Sequence, residues 1–319
     1  KDIFITSAVR TAVGSLGKSL KNISADVLGS AVITDAVNKS KIKNKEVDEI
    51  ILGQVLTGGT GQNPARQAAI KSGIPIEKPA YIVNQVCGSG LRSVASAFQS
   101  IKSGDANIIV AGGQENMSLA PHALHLRDGK KLGDAKLVDT MIKDGLWDAF
   151  NNYHMGITAE NVAEKFQITR SEQDKFALNS QEKALTAQKE NKFNEEIINL
   201  QIDSKKTQID FSKDEHPREG INLEALSRLK PVFKKDGTVT AGNSSGINDG
   251  AAAVTVMSKD IAEKKGIKKL VSIKSWASCG VDPALMGTGP IPSSKKALEL
   301  AGWNIKDVDL FEINEAFAA

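Results

Sequence analysis

Short apolar runs alternate with longer helical patterns along this chain, and that alternation limits the fold more than any other feature. Strands buried on both faces of a sheet need helices to cover them. Between Tyr81 and Ala111 the pattern is complete: Tyr81 to Val86 reads as a strand, Gly88-Ser89-Gly90 as a turn, Leu91 to Lys102 as a helix and Ile108 to Ala111 as a wholly apolar strand. This is a strand, turn, helix, strand unit with Cys87 at its first corner. Ile3 to Ser7 and Glu49 to Leu52 read as further strands. Ser24 opens a helix to Val37 that carries Val27, Leu28, Ala31 and Val32 at three- and four-residue spacings. From about Leu119 to Ala241 polar helices, charge-rich turns and isolated aromatics replace buried strands, which reads as an inserted layer. Sheet composition returns with Ala251 to Met257 and Val271 to Ala277.

The segment Val47-Asp48-Glu49-Ile50-Ile51-Leu52-Gly53 is echoed by Val308-Asp309-Leu310-Phe311-Glu312-Ile313-Asn314, implying two halves of similar fold. A strand is expected to end at Asn314, and projecting the first half onto the second leaves roughly 70 residues unaccounted for. The 319 residues are 40% hydrophobic and 25% charged, a globular composition long enough for more than one core. A net charge of +3, with no basic run interleaved with aromatics, argues against a nucleic-acid partner. No uninterrupted apolar run reaches the roughly 18 residues that span a bilayer, and Lys1-Asp2-Ile3-Phe4-Ile5 lacks a signal peptide's character. A soluble, cytoplasmic protein with no membrane partner is the expectation.

Two cysteines, Cys87 and Cys279, are too few for a disulfide framework and fit a reducing compartment. Cys87 sits where a strand meets a helix, so the first helical N–H groups and the positive dipole end favour its thiolate. Glycines at 88 and 90 let the chain turn sharply there. Most free cysteines are small core residues, and Cys279, in no comparable corner, is read that way. Asn314 opens Asn314-Glu315-Ala316-Phe317-Ala318, where side chains would project from a sheet edge toward a ligand, although an asparagine in such a place is more often an N-cap. Gly242-Asn243-Ser244-Ser245-Gly246 could be an ordinary polar turn. His154, between Tyr153 and Met155, would by default be a hydrogen-bonded core residue. No Cys/His/carboxylate set has zinc spacing, and Gly58-Gly59-Thr60-Gly61 lacks a phosphate loop's ending, so no metal site is expected.

Together these segments resemble the thiolases, and the likeness runs along essentially the whole chain. Asn84-Gln85-Val86-Cys87-Gly88-Ser89-Gly90 is similar to the family's nucleophile segment, and Gly112-Gly113-Gln114-Glu115-Asn116-Met117-Ser118 to the strand exit after it. Thr240 to Gly246 is similar to the coenzyme A turn and Asn314 to Ala318 to the Asn-Glu-Ala-Phe motif. The resemblance implies a five-layered αβαβα fold of two βαβαβαββ halves with an inserted loop domain. Residues 1–118, completed by 246–268, would form the first half, 119–245 the loop domain over coenzyme A, and 269–319 the start of an incomplete second half. It implies a reversible Claisen condensation of two acetyl-CoA to acetoacetyl-CoA and CoA, in which Cys87 carries the acyl group and Asn314 holds a water near the enolate oxygen. Leu146, His154, Met155, Arg218, Phe233, Ala241, Ser245, Ala316 and Phe317 would line the acyl-CoA site. Coenzyme A is then substrate and product, with no further cofactor.

The family pattern continues to a Gly-His-Pro histidine that activates the nucleophile and to a second catalytic cysteine, and neither motif occurs in this sequence. The expectation is a C-terminally truncated chain that is inactive as it stands. Ketoacyl synthases share the implied fold but use two histidines, and the Asn314 motif argues against them. A non-catalytic lipid carrier needs neither Cys87 nor Asn314. Tyr153-His154-Met155-Gly156 resembles the short-chain, biosynthetic members more than the 3-ketoacyl-CoA thiolases of β-oxidation. Gln62 to Gln67 resembles a dimer contact, and the insert Leu126 to Leu132 the loop that joins dimers into a homotetramer.

Overall fold

Ile50, Ile51 and Leu52 are all fully buried, as a continuous apolar run requires when helices cover both faces of its strand. Ile50 and Leu52 pack on one side with Val32, Ile33, Ala65 and Ala68, while Ile51 packs on the other with Ala97, Ile101 and Ile109. The computed structural model describes residues 2–204 and 207–319, so Lys1 of the opening segment lies outside the description. These residues divide into two compact units, the first Lys1–Gly145, Phe193–His216 and Ile247–Ile273, the second Leu146–Lys192, Pro217–Gly246 and Lys274–Ala319.

The first unit is built on a mixed sheet of strands β1 (Ile3–Arg10), β2 (Glu49–Gly53), β3 (Ala80–Val83), β4 (Ile108–Asn116), β5 (Asn248–Ser258) and β6 (Val271–Ser272). Their order is β6-β1-β5-β4-β2-β3, and the short strand Gly14–Ser15 adds to β5. β5 pairs antiparallel with β1 and with β4, whereas β2 pairs parallel with β3 and β4. Helices α1 (Ala25–Lys39) and α2 (Pro64–Lys71) cover one face and α3 (Ser89–Ser103) the other. A full side-chain burial such as that of Ile50 or Ile51 is worth about 1.5–3 kcal/mol. Arg10, at the end of β1, pairs with Glu196 (2.7 Å) and with both Asp214 oxygens (2.7 and 3.0 Å). This pairing ties residues of the insertion to the sheet.

The second unit carries helices α4 (Met155–Phe166), α5 (Arg170–Lys189), α6 (Leu223–Ser227) and, later in the chain, α8 (Pro290–Ala301); α7 (Lys259–Lys264) follows β5 in the first unit. Two sequence expectations change. The strand expected over Val271 to Ala277 is limited to Val271–Ser272, which pairs with Ile5 and Phe4, because β1 begins at Ile3, the acceptor for the Ile273 N–H. The segment Val308 to Asn314 forms no strand at all. Leu310, Phe311 and Ile313 are 88%, 53% and 52% exposed. A β-like composition makes a strand only beside a neighbour, and no strand among the described residues pairs with this one.

The closest backbone approach in the sheet is at Gly112 of β4, where a Cβ would lie 2.0 Å from the Ala252 carbonyl oxygen of β5. Gly112→Ala is expected to cost about 1–3 kcal/mol or more by overpacking. Urea unfolding measures it, and an unchanged midpoint would mean that β4 and β5 do not lie this close.

Candidate active site

In the first unit the chain leaves β3 at Val83 and turns into α3 through Asn84 to Gly88. Val86, in the middle of the turn, has φ +48°. A β-branched residue rarely enters that left-handed region, at a cost of about 1–3 kcal/mol. Backbone bonds from the Gly88 N–H to the Gln85 carbonyl (3.0 Å) and from the Ser89 N–H to the Val86 carbonyl (3.0 Å) hold the turn together with side-chain bonds. The Val86 N–H donates to Asn84 Oδ1 (2.9 Å), the Gln85 N–H donates to Ser89 Oγ (2.8 Å), and the Ser89 hydroxyl donates to the Val86 carbonyl (2.5 Å). Cys87 is thereby exposed directly before Gly88, the N-cap of α3, at the positive end of the helix.

The start of α3 can lie so close to the sheet because Gly53 of β2 has no side chain. A Cβ there would come within 2.5–2.7 Å of the Ser89 and Gly90 backbone and Ser89 Cβ. Ser93, one turn on, donates to the Gly112 carbonyl of β4 (2.8 Å). At the exit of β4, Glu115 accepts from the backbone N–H groups of Val55 (2.8 Å) and Leu56 (3.3 Å). Burial raises its carboxyl above the usual carboxylate range, with these two donors acting in the opposite direction.

In the second unit the remaining candidates gather around two backbone segments. His154 caps α4, its Nδ1 accepting from the Gly156 N–H at 3.0 Å. Its ring stacks on Phe233 at 4.6 Å and 21°, and Phe233 meets Phe317 edge-on at 6.3 Å. Gly156 is required here, since a Cβ would fall 2.1 Å from the Phe233 ring. The turn Thr240 to Gly246 docks on the Asn314 to Ala318 segment: the Ser245 N–H donates to the Ala316 carbonyl (3.0 Å) and the Ala318 N–H to the Asn243 carbonyl (2.9 Å). Ala241, Ser245 and Asn314 are exposed, while Leu146, Met155, Phe233, Ala316 and Phe317 are half-buried. Arg218 is exposed, and its backbone N–H donates to Gln181 of α5 (2.9 Å).

Burial lowers the His154 pKa. With Nδ1 accepting a hydrogen bond, the neutral ring carries its proton on Nε2 and offers that N–H as a donor.

Sequence reading passed over the side chains that fix this turn. Asn243 is buried, accepts from the Thr240 N–H (2.7 Å) and donates to Asp174 (3.0 Å) and to the Thr238 carbonyl (3.0 Å). Asp174 pairs with Arg170 (2.8 Å), which also donates to the Leu226 and Leu229 carbonyls. Glu160, 5% exposed, accepts from the N–H groups of Thr238 and Val239. The available signals were Glu160 on the same α4 face as Gly156, Ala159 and Ala163, and the four-residue spacing of Arg170 and Asp174.

Comparison with known proteins places these segments among relatives. A family model described as "Thiolase, N-terminal domain" matches residues 3–260, and one described as "Thiolase, C-terminal domain" matches residues 267–319. The chain is 57% identical over 317 residues to the acetyl-CoA acetyltransferase of Rhizobium meliloti (strain 1021), a match covering 99% of this chain and 81% of that protein. It is 52% identical over 319 residues to the cytosolic acetyl-CoA acetyltransferase of Rattus norvegicus, covering 99% of this chain and 80% of that one. The crystal structure of the Bacillus anthracis acetyl-CoA acetyltransferase superposes with a TM-score of 0.97 at 42% identity, over 99% of this chain and 80% of that chain.

The His154 environment makes a prediction about acid. A histidine whose pKa is lower folded than unfolded leaves the unfolded chain holding the extra proton between the two values. Stability is therefore lost as pH falls through about 6.5 and onward to the folded pKa. His154→Asn keeps an N-cap acceptor and is expected to flatten that part of the profile. Urea unfolding of both proteins between neutral and mildly acidic pH measures the difference, and parallel profiles would contradict it.

Proposed function

This chain belongs to the thiolase family, and from that premise we propose that it catalyses the reversible condensation of two acetyl-CoA to acetoacetyl-CoA and CoA through an acetyl group on Cys87. One observation carries the reading: Cys87 is exposed at the head of α3, held there by a strained turn. The relatives named acetyl-CoA acetyltransferase support the choice of acyl group. In the first half-reaction the Cys87 sulfur attacks the thioester carbonyl, a carbon–sulfur bond forms, and the bond to coenzyme A sulfur breaks, CoA leaving as the thiol. In the second, a base removes a proton from the α-carbon of another acetyl-CoA. That carbon bonds to the acyl carbon as the Cys87 sulfur departs.

Negative charge grows on a carbonyl oxygen in each half-reaction and needs placed donors. We assign the Nε2–H of His154 and a water held by Asn314 to that work. Leu146, Met155, Arg218, Phe233, Ala241, Ser245, Ala316 and Phe317 line the acyl-CoA site in the same proposal. Coenzyme A serves as substrate and product with no further cofactor. The working assembly is a homotetramer in the cytoplasm, the latter in line with the cytosolic rat relative. The activating histidine and second cysteine implied by the resemblance belong to motifs that this sequence does not contain, and the assays use the full-length protein.

Incubation with acetyl-CoA is expected to leave an acetyl mass on the peptide containing Cys87, and none there in Cys87→Ser. Acetoacetyl-CoA should be cleaved much faster than a long-chain 3-ketoacyl-CoA. An unmodified Cys87, or the reverse chain-length preference, would overturn the assignment.

A further inference from the structure

Ser89 has no part in the reaction as written, yet its hydroxyl makes two of the side-chain hydrogen bonds that close the Cys87 turn, beside the backbone bonds from the Gly88 N–H to the Gln85 carbonyl and from the Ser89 N–H to the Val86 carbonyl. Ser89 is 4% exposed, and its hydroxyl accepts from the Gln85 N–H at 2.8 Å and donates to the Val86 carbonyl at 2.5 Å. These bonds bracket the residue whose backbone is under strain, Val86 at φ +48°. A further side-chain bond, from the Val86 N–H to Asn84 Oδ1 (2.9 Å), holds the same residue from the other side. Left to its own preference, a valine leaves the left-handed region for an extended or right-handed helical conformation. Either change would swing Cys87 away from the α3 N-terminus. The chain there has little freedom to adjust otherwise, because Ser89 and Gly90 lie against Gly53 of β2.

We propose that Ser89 is a positioning residue: its hydroxyl clamps Val86 in the left-handed conformation and so fixes the Cys87 sulfur at the positive end of α3. The role of that sulfur in acyl transfer rests on the function proposed above, whereas the clamp is testable by thiol chemistry that involves no acyl-CoA. The helix end can act on charge that develops at the sulfur during alkylation only while the turn keeps the two together.

The test is the rate of Cys87 alkylation by iodoacetamide at neutral pH, read by peptide mass spectrometry. Cys279 of the same chain serves as an internal reference. Ser89→Ala is expected to slow Cys87 roughly two- to fivefold, the size of a lost helix-end charge interaction, while Cys279 keeps its rate. General loosening of the fold would instead raise the Cys279 rate. The second variant is Ser89→Ala combined with Val86→Gly. Glycine accepts a positive φ without strain, so the double variant should regain most of the lost Cys87 reactivity and guards against a single variant that does not fold. The proposal is overturned if Ser89→Ala alkylates at the original rate, if both cysteines change together, or if glycine at 86 restores nothing. Because no acyl-CoA is used, loss of the clamp is distinguishable from a wrong acyl donor or a wrong nucleophile, which the acetyl-mass experiment reports separately.

Discussion

The sheet of the first unit depends on β5 lying between β1 and β4. β1 and β4 never pair with each other. Each completes its backbone hydrogen bonds on β5, through antiparallel registers that run from Ile3–Ser258 to Arg10–Ala252 and from Asp249–Asn116 to Met257–Ile108. β5 arrives some 130 residues after β4 ends, so the sheet closes only once the intervening chain has formed and returned. Closing so long a loop adds little free-energy cost per extra residue, but it makes the pairing strongly non-local and therefore slow to form. The absence of a side chain at Gly112 is part of the same constraint, since β5 backbone occupies the space a Cβ would need.

In each unit the candidate residues rest on tightly held backbone. In the first unit Gly53 lets α3 begin directly against β2, and the strained turn at Val86 uses that fixed helix end to present Cys87. In the second unit buried carboxylates do the corresponding work, on backbone N–H groups and on a side-chain amide. Glu160 holds Thr238 and Val239, and Asp174 holds Asn243. Through the Asn243 carbonyl the turn Thr240 to Gly246 holds the segment after Asn314. Asp174 is buried and paired with the partly exposed Arg170, so the carboxylate that holds Asn243 is itself held in place. Rigid backbone of this kind is what a reaction that places charge on a carbonyl oxygen needs.

The legible part of this structure is the part governed by local rules. The apolar run at Glu49 to Leu52, the N-cap at Ser24 and the strand-to-helix corner at Cys87 all follow from spacing and turn chemistry, and each is found within a few residues of its expected place. The failures share one cause. Val271 to Ala277 and Val308 to Asn314 have strand-like side chains, but a strand exists only through its partner, and composition does not say whether one is present. The same holds at finer scale for Glu160, Asp174 and Ser89. The Glu160 and Ser89 side chains bond to backbone groups across as many as 79 residues or as few as three, the Asp174 side chain bonds to that of Asn243 across 69, and nothing in their identity announces these partners. His154 was legible as hydrogen-bonded, but not as the cap of α4 stacked on Phe233.

The central claim is that an acyl group leaves coenzyme A for the protein before the second substrate reacts. A covalent intermediate of that kind allows exchange between acetyl-CoA and free CoA with no condensation required. The direct measurement is incorporation of isotopically labelled CoA into unlabelled acetyl-CoA, in the form carrying the family's remaining motifs and under conditions where no net acetoacetyl-CoA accumulates. Exchange that disappears in Cys87→Ala is the predicted result, and condensation proceeding with no such exchange would contradict the account.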